Sequence, residues 1–304
     1  MQAGQAIGVD LGGTKILAGV VARDGSIVRR HERPTPQDSQ EHVLAELEAA
    51  VAELLDDSVA AVGFGVPSPI DQARGVVVRC VNVLLEDAPL RDRMHERFGL
   101  PVGLDNDGNA AAIGEWGAGA GRDEDDLVML TLGTGVGGGV VSGGKPLRGW
   151  NGAGAELGHV VIVHDGHPCQ GACTGRGHLE AYASGSAATA GAREAFGPSA
   201  DAHRLVRLAD EGDVKARELL AEVGRYLGSG IGSFVNVFGP QVVVLGGGFG
   251  VAAYEYLREP AEEVLRREAL EPMRSTVRLA KAELGTAAGL IGAAFVGFEA
   301  LDAA

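Results

Sequence analysis

Short apolar runs, broken by glycine and acidic turns, recur along both halves of this chain. In residues 6–30 the pattern predicts strand, turn, strand, strand. Residues 38–56 put Val43, Leu44, Leu47, Val51, Leu54 and Leu55 on one helical face, and Asp38 with Glu41 fits a capping box. Residues 59–66 read as a buried strand ended by Pro67 and Pro69. A short helix is expected at 89–98 and a strand at 102–105, which runs into Asn106-Asp107-Gly108-Asn109 and a helix of small residues. The second half starts near residue 126, with a strand at 127–132. Residues 154–163 carry Glu156 and His159 into an apolar strand, and 169–177 form an irregular loop. Helices are expected at 178–196, 202–210 and 214–238. A β-branched strand at 241–245 is closed by Gly246-Gly247-Gly248, and a helix at 252–269, a strand at 277–281 and an apolar helix at 286–301 complete the chain. Hairpins early in each half and crossovers later predict an α/β fold of two similar lobes, with a ligand in the cleft between them.

The most informative pattern is a glycine turn that occurs twice. Val9-Asp10-Leu11-Gly12-Gly13-Thr14-Lys15 and Thr131-Leu132-Gly133-Thr134-Gly135-Val136-Gly137 each follow an apolar strand and lead into another. Glycines at a hairpin tip leave backbone N–H groups unshielded by a Cβ, and a neighbouring hydroxyl, Thr14 or Thr134, adds a donor. Such a tip suits phosphate oxygens, although either turn alone is equally a tight hairpin with no ligand. Asp10, at the strand end before the first turn, is placed to hold a hydrated Mg²⁺.

Composition narrows the class. The chain has 304 residues, 45% of them hydrophobic and 22% charged, which suits a globular protein of one or two domains. The net charge of −15 disfavours nucleic acid or an anionic membrane as the main partner. No signal peptide is visible and no apolar run reaches the ~20 residues of a membrane span. Three cysteines, an odd count, argue against a disulfide framework and for a reducing cytoplasm.

Three polar groups could carry chemistry. Asp107, in a turn between a strand and a helix, is the candidate base for a sugar hydroxyl; position alone also fits Asp107 or Asn109 as a helix N-cap. Glu156, His159 and Glu180 suit a polyhydroxyl ligand if they converge, and are otherwise solvated surface groups. His159, Cys169, Cys173 and His178, spaced H-x9-C-x3-C-x4-H, are enough for a tetrahedral zinc site, with His164 or His167 as substitutes. The alternative is two free thiols and solvent-facing histidines. Cys80 reads as a core residue.

Five motifs in order resemble the ROK family of bacterial sugar kinases, most of all its branch that phosphorylates glucose with ATP: DLGGTK at 10–15, DNDGNAAAIGE at 105–115, LGTGVGGG at 132–139, GAELGH at 154–159 and GRGHLE at 175–180. The similarity runs from residue 7 to about 292. It implies an actin-like (ribonuclease H-like) two-lobed fold, with residues 1–107 and 288–304 as the smaller lobe and 108–287 as the larger, zinc-carrying one. It implies Asp107 as the base at a sugar 6-hydroxyl, and Asn82, Asn106, Glu156, His159 and Glu180 as sugar ligands. Gly12, Gly13, Thr14, Lys15, Thr134 and Gly135 would serve the phosphates of ATP, Gly247 and Gly248 the adenosine, and Asp10 the Mg²⁺. The family's zinc set is one His and three Cys; here His178 stands at the third Cys position, and three residues rather than one separate the first two thiols. His159 would then bind zinc through one ring nitrogen and the sugar through the other. Asp105 stands where Glu is frequent, with little effect expected.

Glucose is the expected substrate, with N-acetylmannosamine, N-acetylglucosamine, fructose and mannose as alternatives, and polyphosphate as an alternative donor. The family also contains sugar-responsive repressors with a DNA-binding segment before the first glycine turn. Only nine residues precede Asp10 here, so a DNA-binding role is not expected. A non-catalytic sugar-binding module would predict a damaged Asp107 or donor loop, and both are intact. The resemblance suggests a homodimer or homotetramer.

Overall fold

A computed structural model describes residues 4–304, which divide into two compact units. The first comprises residues up to 123 with 146–155 and 286–304; the second comprises 124–145 and 156–285.

In the first unit, β1 (Gln5–Leu11), β2 (Lys15–Val21) and β3 (Ile27–Pro34) form the antiparallel meander. Helix α1 (Gln40–Leu54) crosses to β4 (Val59–Val66), parallel to β1. Its N-cap is Ser39, which accepts the His42 amide, while Asp38 binds the His42 ring, so the expected Asp38–Glu41 box does not form. Leu55 lies beyond the helix, 38% exposed, because the chain turns extended there. A small sheet unforeseen from the sequence follows: β5 (Ile70–Asp71), β6 (Val76–Arg79) and β7 (Glu86–Ala88). Then come α2 (Leu90–Phe98), β8 (Val102–Asn106), parallel to β4, and α3 (Asp107–Ala118). The main sheet runs β3-β2-β1-β4-β8.

The second unit repeats that order. Its hairpin is β9 (Leu127–Leu132) and β10 (Val136–Ser142), extended by β11 (Lys145–Pro146). Residues 154–163 form no strand: Leu157–His159 is a single 3₁₀ turn, and Val161 makes only an isolated bridge to His178. The helix expected at 178–196 is broken at Ser184, whose hydroxyl caps the second piece, giving α4 (Glu180–Ala183) and α5 (Gly185–Phe196). Helices α6 (Ala202–Asp210) and α7 (Val214–Phe238) are capped by Asp201 and Asp213. Strand β12 (Val242–Gly246) is parallel to β9, and α8 (Gly248–Glu268) begins directly after it, four residues earlier than expected. The short α9 (Met273–Thr276) leads to β13 (Arg278–Lys281), completing the sheet β11-β10-β9-β12-β13.

The last helix, α10 (Ala288–Asp302), belongs to the first unit. Gly8, Gly63 and Gly103 sit opposite one another on β1, β4 and β8, making a bare row across the sheet. A Cβ at any of them would overlap the backbone of α10 at Leu290, Ala293 or Val296, so the row lets the helix lie on the sheet. Among the described residues the segment Gly285–Asp302 is long and apolar enough to cross a membrane, but half of it is buried within this unit as a core helix.

Candidate active site

In the first unit the Gly12–Gly13 turn is stitched from behind. The Gly12 amide donates to Lys15 O at 2.9 Å, the buried Thr35 hydroxyl to Gly12 O at 2.7 Å and the Gln37 amide to Gly13 O at 2.8 Å. These bonds occupy tip carbonyls, which biases the outer side of the turn toward donors. Thr14 O accepts the Thr35 amide, and Lys15 is paired with Glu32 at 2.9 Å on the neighbouring strand. Asn82 stands against Gly13 and lines a cavity of about 700 Å³ with Gln37, Arg79 and Cys80.

Asp10 lies near the end of β1 and Asp107 opens α3 just after β8, with β4 between the two strands, and the charge of Asp107 acts on Asp10. Burial, then the charge of Asp107, pushes the Asp10 carboxyl up to about 7, against the pull of Lys15. Part of that burial comes from Gly289 of α10, where a Cβ would meet the Asp10 carboxylate. Burial likewise raises Asp107, opposed by the Gly108 amide at 2.8 Å. Asp10, raised by its burial and by the charge of Asp107, is the carboxylate that a divalent cation would relieve. The charge of Asp107 also adds to the burial that raises the Cys80 thiol to about 11.

The helix cap is neither Asp107 nor Asn109. Asn106 caps α3, its Oδ1 accepting from Gly108 N at 2.9 Å and Asn109 N at 3.3 Å. Asn109 instead donates to buried Asp105 at 3.0 Å. Asp107 therefore keeps its carboxylate at the first helical position without being the cap.

In the second unit, Glu180 joins two features. Its Oε2 accepts the Val136 amide at 2.9 Å, at the foot of the Gly133–Thr134–Gly135 tip, and its Oε1 lies 3.7 Å from Cys169 Sγ. The tip is tied to α5 by Gly185 N to Gly133 O at 2.8 Å. Gly247, at φ +77°, precedes α8; a Cβ there would overlap the Leu132 backbone, so glycine is required for the first turn of α8 to approach β9. Gly133, Thr134, Gly248 and Phe249 line a cavity of about 290 Å³ with Ser186, Thr189, Asp201 and His203. The walls from α5 and α6 were not among the sequence candidates. They carry no motif, and only the packing of separate helices makes them neighbours.

His159, Cys169, Cys173 and His178 converge, their ligand atoms all within 4.8 Å of one another. The two Nδ1 atoms are 3.2 Å apart, and each faces a sulfur at 3.6 Å: His159 with Cys169, His178 with Cys173. A tetrahedral zinc, with bonds of about 2.3 Å to sulfur and about 2.0–2.1 Å to nitrogen, separates its ligands by roughly 3.3 Å (N to N) and 3.6 Å (N to S). The donor set and spacing fit zinc. Backbone bonds from Cys169 to Gly175 and from Gly177 to His167 brace the loop. His164 is outside the cluster, and His167 stacks on Tyr182 instead. Glu156 precedes the 3₁₀ turn and His159 ends it, and both are exposed. Ala155, just before them, lies at φ +64°, a conformation that costs a residue with a Cβ about 1 kcal/mol.

A profile of the ROK family matches residues 6–298. The chain belongs to the ROK family. A glucokinase of Thermotoga maritima is 36% identical to this ROK protein, over 95% of this chain and 96% of that one. An N-acetylmannosamine kinase of Escherichia coli is 34% identical, over 95% and 97%. The crystal structure of a ROK family glucokinase from Streptomyces griseus in complex with glucose and AMPPNP superposes with a TM-score of 0.82 at 36% identity, covering 97% of this chain and 100% of that one. The fold is accordingly the mixed α/β, actin-like fold of ROK sugar kinases.

Proposed function

We propose that this ROK protein transfers the γ-phosphoryl group of ATP to the 6-hydroxyl of glucose, with Asp107 as general base. The observation that carries this is Asp107 itself, a half-buried carboxylate with a raised pKa at the first turn of α3, whose charge reaches a second raised carboxylate, Asp10. The likeness to glucokinases, one of them holding glucose and an ATP analogue, supports the choice of substrates.

The reaction is a direct in-line displacement. The hexose oxygen attacks the γ-phosphorus, the bond to the β-phosphate oxygen breaks, and the hydroxyl proton passes to Asp107. Asp107 serves only when ionised, and its burial strengthens it as a base. Asn82, Asn106, Glu156, His159 and Glu180 orient sugar hydroxyls. The tips at Gly12–Lys15 and Thr134–Gly135 hold phosphate oxygens, and the adenosine lies by Gly247, Gly248 and the walls from α5 and α6. Asp10 would hold Mg²⁺, which when bound neutralises charge on the transferring group. His159, Cys169, Cys173 and His178 would hold zinc, which when bound fixes their loop; His159 Nε2 then faces outward for a hydroxyl. The setting we infer is cytoplasmic.

The test is ADP release with MgATP over a panel of hexoses. Turnover on glucose, lost by about 10²–10⁴-fold in Asp107→Asn while glucose binding survives, is the expected result. Near-normal turnover in the variant removes Asp107 as the base. The 34% identity to an N-acetylmannosamine kinase makes the N-acetylhexosamines the second reading, and turnover on these alone moves the substrate.

A further inference from the structure

Immediately behind the Asn106-Asp107 turn lies a buried charge network that the proposed chemistry does not use. The Asp105 side chain is inaccessible to solvent. Its Oδ2 accepts Arg148 Nε at 2.6 Å, and its Oδ1 accepts the Asn106 amide at 2.8 Å and Asn109 Nδ2 at 3.0 Å. The other arm of Arg148 donates to Glu299 of α10 at 2.6 Å. The Arg148 carbonyl accepts the Gly154 amide at 2.9 Å, closing the loop that it opens.

We propose that Arg148, acting through Asp105, is a positioning residue for Asp107; this rests on the phosphoryl-transfer reading above. The two bonds from Asp105 Oδ1 fall on Asn106 and Asn109, the residues on either side of the Asp107–Gly108 step. The orientation of the Asp105 carboxylate therefore sets the turn that presents Asp107. A lone carboxylate at full burial would lose its charge or its orientation. The guanidinium holds both, because a planar fork anchored on Glu299 has one direction left for Nε. A packed apolar pair would fill the same space without holding the Asn106 amide and Asn109 Nδ2.

The cavity of about 390 Å³ beside Arg148, lined also by Gln72, Arg91, Leu104 and Glu299, gives the experiment its handle. In the full chain, Arg148→Ala should lower kcat about 10- to 100-fold. KM for ATP should stay within about threefold of wild type, since Asn106, the sugar ligand on this turn, is not assigned to ATP. Free guanidinium ion, entering from the cavity, should restore kcat saturably where sodium at equal ionic strength does not. Arg148→Lys should fall between. If Arg148→Ala does not fold, the isosteric Asp105→Asn should show the same kcat loss, with no rescue by guanidinium. A folded variant with kcat within about twofold of wild type overturns the proposal. So does a loss confined to KM, or a restoration that sodium matches. Amide exchange over residues 105–109 should rise in Arg148→Ala whatever the reaction, and unchanged exchange also overturns it. A wild-type chain without hexose-dependent ADP release would sink the transfer reading instead, and amide exchange would then decide the positioning role alone.

Discussion

Asp10 carries a charge that the folded chain resists. Its carboxyl, ordinarily at 3.8, is pushed up to about 7 by burial and by Asp107. Between those values the folded chain keeps a proton that the unfolded chain has released. The stability this contributes is full below about pH 4 and is lost as pH rises through about 7. Asp10→Asn, which cannot ionise, should flatten that dependence and stabilise the ligand-free protein at pH 8 by about 1–3 kcal/mol, while reducing Mg²⁺-dependent turnover. Unfolding midpoints at pH 5 and pH 8 check this; equal pH dependence in variant and wild type would refute it. The type and chain position of Asp10 and Asp107 were legible in the sequence. The effect of the Asp107 charge on Asp10 was not, because β1, β4 and β8, far apart in the chain, must pair before that charge is felt. Nor was the cap: Asn106, Asp107 and Asn109 all suit one by residue type, and backbone geometry selects Asn106.

At the scale of elements, the strands flanked by turns and the helices with a clear apolar face came through within a residue or two. Residues 59–66, 127–132, 202–210 and 214–238 coincide with their elements. Two misreadings lie around the loop that holds Cys169 and Cys173; others are the unforeseen sheet β5–β7 and the early start of α8. Val160 to Val163 is apolar enough for a strand, yet the backbone there turns to bring His159 toward His178, and Val161 stays 57% exposed. Ser184 breaks a helix that its neighbours would continue, because its hydroxyl caps a new one. Backbone bonds and two isolated bridges brace the loop, but it holds no helix or strand, so its order should depend on metal as well. Protein prepared without chelator should carry about one zinc per chain, and Cys173→Ser should weaken its retention roughly tenfold or more. Stripping the zinc should raise KM for hexose more than KM for ATP. Metal analysis with paired KM measurements tests this, and a metal-free chain of unchanged hexose KM would count against it.

For the whole molecule, the chain's last helix completes its first sheet. The contact is made over the glycine row Gly8–Gly63–Gly103, where backbone meets backbone. Gly63→Ala should therefore cost about 1–3 kcal/mol or more, since the obstacle is the Ala293 carbonyl rather than a side chain that can swing away. Gly191→Ala, in α5 with no atom nearer than 3.7 Å to the new Cβ, should instead stabilise by about 0.5–1 kcal/mol. Denaturant unfolding of both separates close packing from helix propensity.

Alternation and glycine turns, which are local, determined from sequence alone that this is an α/β chain with two glycine-tipped hairpins. The order of five motifs placed it among ROK proteins, and the count of His and Cys raised a metal site. What only the tertiary structure decided is non-local: the same strand order in two sheets, the cavity walls from α5 and α6, the near-tetrahedral spacing of two histidines and two cysteines, and the burial of Asp105 against Arg148. Each depends on distances between residues far apart in the chain. Burial and charge coupling arise only once those residues are brought together away from water.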